Sequence, residues 1–319
     1  MRTPRPWALP LLPTGLPHLA SLGITREMID TQLAAGRLLR LRRGVYLAAD
    51  AWPEQPEQQQ LLLARAEQVI HPQAVISHGT AALVWGLPSP RLGGWRDEPP
   101  TVTLPRSAGH RARQRSVVHR SGSLPPHHVT RDHAGHAVTT VARTAVDLVV
   151  GLPLPEALVV LDAAERQLVS AFVANPRRVA FANPQLAKAA GEALREVTVE
   201  LRRGGLRPAL ELADPRRETP IESLTAGHLR LAGLPAPEYQ AEIRTPRGVF
   251  YPDFLWREAG LIGEADGAVK YTDQRAMVLE KEREQVLIDA GFRFVRWLGK
   301  EIWLTPEIVM ARIARALGM

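Results

Sequence analysis

VFYPDFLWREAGLIGEADGAVK, residues 249–270, decides how the C-terminal third of the chain is read. Strand-forming residues fill 249–256 and 261–265, and Arg257-Glu258-Ala259-Gly260 between them has the composition of a tight turn. With those four residues as the loop, Trp256 pairs with Leu261, and Asp253 falls opposite Glu264. Opposed residues of an antiparallel pair share a face, with Cβ atoms about 4.5–5.5 Å apart. Tyr251, Leu255, Ile262 and Asp266 join that face by alternation along the strands. The pattern therefore gathers Asp253, Glu264 and Asp266 on an otherwise apolar surface. Carboxylates so crowded raise one another's pKa unless a cation lies between them. Hard oxygen donors of this kind suit Mg²⁺ or Mn²⁺.

Each of these residues also has a plainer reading. Asp266-Gly267 is a turn signal in its own right, and a lysine such as Lys270 is ordinarily a solvated surface residue. Asp253 and Glu264 are harder to set aside, because inward-facing acids cost stability without a partner. The chain holds four lysines (Lys188, Lys270, Lys281 and Lys300) against 36 arginines, so a lysine beside the acids is notable.

Pro252-Asp253 followed by Glu264-Ala265-Asp266 resembles the PD-(D/E)XK nuclease superfamily. The family's lysine belongs two residues after Glu264; this chain has Asp266 there, and Lys270 comes four residues later. The resemblance is closer to the very-short-patch-repair (Vsr-like) branch, where a hydrophobic-Glu-x-Asp-Gly strand end is common. EKERE at 280–284 on a helix and FRFVRW at 292–297 on a strand follow in that branch's order. The resemblance covers residues 216–303 and implies a restriction-endonuclease-like α/β domain over 215–319. It also implies catalytic roles for Asp253, Glu264, Asp266, Lys270 and Glu222, with Asp253, Glu264 and Asp266 holding Mg²⁺ or Mn²⁺. Lys270 would orient a water or hold the phosphate.

Glu222 carries two readings at once. Thr219, Pro220 and Glu222 form an N-cap, N1 and N3 set, the pattern of a capping box. The same family also places a glutamate on the helix before the core hairpin. A helix at 276–290, closed by Gly291, then carries Glu280, Lys281 and Glu284 on what reads as a solvated face.

At 319 residues the chain has room for two or three cores. Its 45% hydrophobic and 23% charged residues exclude wholesale disorder. Cysteine is absent, which removes disulfides, thiolate catalysis and zinc ribbons and fits a cytoplasmic setting. The opening MRTPRPWALPLLPTG is too short and proline-broken for a signal peptide or membrane span, so no membrane partner is expected. Net charge of +7 favours a polyanionic partner, although an arginine-rich genome would give the same total. The distribution says more: residues 101–131 hold Arg106, Arg111, Arg113, Arg115, Arg120 and Arg131 and no acid.

The N-terminus reads helix (16–22), helix capped by Thr25, then RLLRLRRGVYLA as a basic hairpin broken at Gly44. That is the order of a winged helix-turn-helix, assigned to residues 1–52. Such modules place the second helix in the major groove and the hairpin along phosphates. Arg26, Arg40, Arg42 and Arg43 are the expected DNA contacts there, with Arg106, Arg111, Arg113 and Arg115 beyond. GRLLRLRRGVY resembles the N-terminal domain of AbiEi-family antitoxins. The candidate recognition helix departs by being acidic, with Glu27 and Asp30.

Residues 53–154 resemble the α/β middle domain of the same proteins. There Ser77-His78 enters a helix with Ser77 as its cap, and VTTVARTAVDLV (138–149) begins another helix. The histidines of this region lack metal-site spacing and read with its arginines as a phosphate-facing surface. Residues 155–214 read as an alanine-rich helical connector. The whole is an α+β multidomain protein with two competing functions. One is a DNA-binding, divalent-metal-dependent endonuclease. The other is a non-enzymatic DNA-binding transcriptional regulator or antitoxin, with a cognate toxin as partner.

Overall fold

Thr25 accepts a hydrogen bond from the Met28 amide at 3.3 Å and so sets the start of the second helix, as the sequence predicts. The order is β1 (Thr14–Gly15), α1 (Leu16–Ser21), α2 (Arg26–Ala34), β2 (Leu38–Arg42) and β3 (Val45–Ala48). The strands form an antiparallel sheet in the order β1-β3-β2, closed over Leu19, Ile29, Leu38 and Tyr46. The computed structural model describes residues 7–105, 117–266 and 274–319, with side chains of the last segment from residue 279.

The hairpin contains a bulge that the sequence does not announce. Arg40 is opposite Tyr46 but Arg42 is opposite Val45, so Leu41 is the extra residue. Neighbouring residues of β3 point to opposite faces, hence Arg40 and Arg42 do too.

The chain divides into two units, residues 1–148 and 149–319. The first continues with α3 (Pro56–Ile70), β4 (Val75–Ile76), α4 (His78–Trp85), β5 (Thr101–Pro105) and β6 (Val118–Gly122). It ends with β7 (Val129–Arg131), β8 (Ala137–Thr139) and α5 (Val141–Val149). Its mixed sheet runs β6-β5-β4-β8-β7 over a core that includes Ala64, Ile76, Ala81, Val102 and Val138. Two expectations need correction. Residues 137–139 are a strand rather than the start of a helix. Ser77 makes no capping bond; its hydroxyl accepts from the Thr103 hydroxyl at 2.8 Å instead, because the buried strand β5 brings that donor to it.

The second unit opens with α6 (Leu154–Phe172), α7 (Arg178–Phe181), α8 (Pro184–Glu200), α9 (Arg207–Leu212) and α10 (Pro220–Leu231). Then come β9 (Glu238–Tyr239), β10 (Ile243–Thr245), β11 (Gly248–Phe250), β12 (Phe254–Trp256) and β13 (Leu261–Asp266). It closes with α11 (Gln274–Asp289), β14 (Arg293–Leu298), α12 (Gly299–Leu304) and α13 (Pro306–Leu317). The sheet order is β14-β13-β12-β9, with β13 and β14 parallel and the other pairs antiparallel. Helix α11 makes the crossover that a parallel pair requires.

Phe254, Trp256, Leu261, Val295 and Trp297 fill one face of this sheet against α10, α12 and α13. Leu255 and Ile262 fill the other with Leu287 of α11 and Ile243. The expected connector is part of this body. A Cβ on Gly227 of α10 would lie 2.4 Å from Pro155 Cα of α6, and Arg217 makes a buried two-pronged pair with Asp162 at 2.6 and 2.8 Å.

The register of the decisive hairpin is the expected one, with Trp256 opposite Leu261 and Leu255 opposite Ile262. The strand expected over 249–256 is broken, however. β11 ends at Phe250 and pairs with β10 in a separate ribbon, and β12 starts at Phe254. Pro252 between them has no N–H to give to a ladder.

Candidate functional site

Asp253 precedes β12 by one residue, and continuing the β12–β13 register sets it against Glu264. Its carboxylate accepts from the Ala265 amide at 3.1 Å through Oδ2 and from Gln240 Nε2 at 3.1 Å through Oδ1. Gln240 follows β9, and its backbone N–H reaches the Asp253 carbonyl at 3.4 Å. The same side-chain amide lies 3.5 Å from Glu222 Oε2. Acids from α10, the start of β12 and β13 are thus drawn to one end of the sheet.

Glu222 is fixed by its helix start. The Thr219 hydroxyl accepts from the Glu222 amide at 3.3 Å and donates to Glu222 Oε1 at 2.8 Å. Glu222 Oε2 takes the Glu218 amide at 2.9 Å. The reciprocal cap therefore reaches one residue further back than the standard box, and one glutamate both caps the helix and faces Asp253. The capping reading of Glu222 is the one its contacts show.

Burial dominates the electrostatics. It pushes the Glu222 carboxyl up to about 7, and the Asp253 charge adds to the rise. Burial and Asp253 push Glu264 to about 7 as well, against the lowering effect of Arg283. Asp253 is itself raised by burial, with the Ala265 and Gln240 hydrogen bonds opposing. Arg283 of α11 donates to Glu264 Oε1 at 2.7 Å and to Glu280 at 3.2 Å.

Asp266 is placed differently from Asp253 and Glu264. Its side chain is 36% exposed and lies 3.7 Å from Arg296, one pleat beyond Glu264 and where the sheet gives way to solvent. Lys270 lies outside the described residues, and Lys281 is exposed. Gln240 and Arg283 are additions to the predicted set. Arg283 was detectable: it stands four residues before the buried Leu287, so it shares the helix face turned to the sheet. Gln240 sits in a polar EYQAE run with no spacing to single it out.

The expected DNA contacts divide. Arg26, Arg40 and Arg43 are exposed. Arg42 is not available: the bulge turns it inward to an ion pair with Glu67 of α3, which is 1% exposed and also meets His119 at 2.8 Å. Arg106, Arg111, Arg113 and Arg115 lie outside the described residues. The histidine surface also needs correction. His119 is engaged by Glu67, and His128 is buried 3.1 Å from Arg143, because both rings meet polar partners inside the unit.

Buried carboxylates that hold one another's pKa up are the donor set a hard divalent cation would stabilise. Glu222, Asp253 and Glu264 offer oxygens of the kind such an ion takes. As placed, however, the three are not among the groups of described residues whose ligand atoms all lie within 4.8 Å of one another. Arg283 adds a fixed positive charge at the rim.

No family model matches the chain. It is 28% identical over 297 residues to an uncharacterized protein of Mycobacterium tuberculosis strain CDC 1551 / Oshkosh, covering 92% of this chain and 97% of that one. The same figures hold for an uncharacterized protein of strain ATCC 25618 / H37Rv.

Proposed function

We propose that the second unit is a Mg²⁺- or Mn²⁺-dependent endonuclease of the PD-(D/E)XK type, Vsr-like, hydrolysing phosphodiester bonds of nucleic acid. The carrying observation is the buried set Glu222, Asp253 and Glu264, in which the Asp253 charge adds to the burial that raises both glutamates. Such an ion, held by these acids, would lower the pKa of a bound water and neutralise charge on the scissile phosphate. The Ala265 amide and Gln240 hold the Asp253 carboxylate in one orientation, and Thr219 and the Glu218 amide do the same for Glu222. Arg283 is suited to meet the charge that builds on the phosphate. Arg26, Arg40 and Arg43 of the winged-helix-like first unit are the reading's DNA contacts.

Asp253→Asn should abolish Mn²⁺-dependent cleavage of plasmid and short single strands while the protein stays folded. Mn²⁺ should raise the wild-type melting temperature by mass action on the folded state, and raise the variant's less. A wild type that neither cuts nor shifts with Mn²⁺ overturns the reading.

Asp266 standing where the family has its lysine favours a second reading. In it the chain is a non-enzymatic DNA-binding regulator, an antitoxin of an AbiE-type system whose C-terminal fold is retained without turnover. A toxin gene alongside, together with DNA binding and no cleavage, would support it.

A further inference from the structure

Gln240 stands where acids from two elements meet. It is a non-glycine residue at φ +49°, a backbone region that stores strain and is kept where the surroundings impose it. Its side chain is buried, with 9% of the residue exposed. Nε2 donates to Asp253 Oδ1 at 3.1 Å and lies 3.5 Å from Glu222 Oε2. Oε1, in contrast, is buried with no hydrogen-bond partner among the described residues. A buried carbonyl oxygen left unpaired is costly. Turning the amide over would not cure this, since Oε1 would then face carboxylate oxygens. The orientation is set by the acids, which take the positive edge of the amide.

We propose that Gln240 is a ligand of the divalent cation through Oε1, and that its NH2 group holds the cation's place between Glu222 and Asp253 in the ion-free protein. When the ion enters, the two carboxylates exchange an N–H for it. The amide then turns to present an oxygen of the kind hard cations accept beside carboxylates. The unpaired oxygen and the strained backbone have one explanation: the side chain is built for its other partner. This inference rests on the metal-centre reading above and deepens it.

The test is Mn²⁺ binding to the full chain, by calorimetry and by loss of the free-Mn²⁺ paramagnetic resonance signal. Wild type, Gln240→Leu, Gln240→Glu and Asp253→Asn are compared. Gln240→Leu should bind Mn²⁺ at least tenfold more weakly and melt lower without metal. Gln240→Glu should melt lower still without metal yet bind Mn²⁺ at least as tightly as wild type. A purely structural hydrogen-bonding role would weaken both properties together. If folded Gln240→Leu binds Mn²⁺ as wild type does while Asp253→Asn does not, the inference is overturned and the metal centre stands. If the leucine variant does not fold, the glutamate variant decides, and binding weaker than wild type overturns the inference. A wild type that binds no Mn²⁺ removes both.

Discussion

Arg283 of α11 donates to the Glu264 carboxylate of β13 at 2.7 Å, so the crossover helix supplies the positive charge at the rim of the acid cluster. A guanidinium cannot give up its charge near neutrality, and it holds down a carboxyl that burial pushes up. Arg283→Met should raise the Glu264 pKa further and move the onset of Mn²⁺-induced stabilisation to higher pH. At pH 7 a rise of one pKa unit from about 7 would cut the ionised fraction from about one half to about one tenth, about fivefold in Mn²⁺ affinity. Arg283→Lys should fall between the two. Melting curves with and without Mn²⁺ across pH 5.5–8.5 decide it, and a profile unchanged in Arg283→Met would remove Arg283 from the site.

Glu222 and Glu264, both pushed from 4.5 up to about 7, give the ion-free protein a signed pH dependence. Their contribution to stability is fully present below the unfolded value near 4.5. It is lost as pH rises through about 7, where the folded carboxyls must ionise. A gain from a bound divalent ion would run the other way and grow over the same interval, since a bound ion requires ionised acids. Glu264→Gln should flatten both trends.

The basic hairpin separates into two kinds of arginine. Arg40→Ala with Arg43→Ala should leave stability unchanged and flatten the salt dependence of DNA binding, by about 0.9 in log K against log salt for each phosphate no longer neutralised. Arg42→Ala should instead lower stability by roughly 3 kcal/mol or less, as Glu67 keeps His119 but loses its ion-pair partner. Salt titrations and chemical denaturation of the two variants separate these effects.

Glu165 of α6 is 4% exposed, and burial together with Asp162 and Asp214 pushes its carboxyl to about 8. The folded protein therefore holds it neutral at pH 7 while the unfolded chain ionises it. Stability from this group is present below about 4.5 and lost as pH climbs to about 8. Glu165→Gln should match wild type at pH 4.5 and become more stable as pH rises, by a few kcal/mol at most on the scale of about 1.4 kcal/mol per unit. A constant difference across that range would show that the shift is absent.

Local pattern made the hairpin register legible. Turn residues at 257–260 and strict alternation place Trp256 against Leu261 and set the acids. The Thr219 cap was equally readable, because capping involves residues three apart. The inward turn of Arg42 was not, since a bulge is a matter of pairing with β3 and leaves no mark in LRLRRG. Gln240 was hidden for the same reason. Its partners stand 18 residues before it and 13 after it, and no periodicity links them. Asp266 shares a strand face with Glu264, as alternation requires, but alternation could not say where the sheet ends and Arg296 waits.

Gly263 lies next to Glu264 on the opposite face of β13, and a Cβ there would meet Trp297 at 2.9 Å, Trp256 at 3.0 Å and Phe254 at 3.1 Å. Three aromatic side chains thus rest directly on the backbone that carries the acid, with no side chain between as a cushion. The alignment of the cluster is consequently gauged from behind the sheet, by two indole rings and the Phe254 Cβ on the opposite face. Trimming one of those rings would detune the site while leaving every charged group in place.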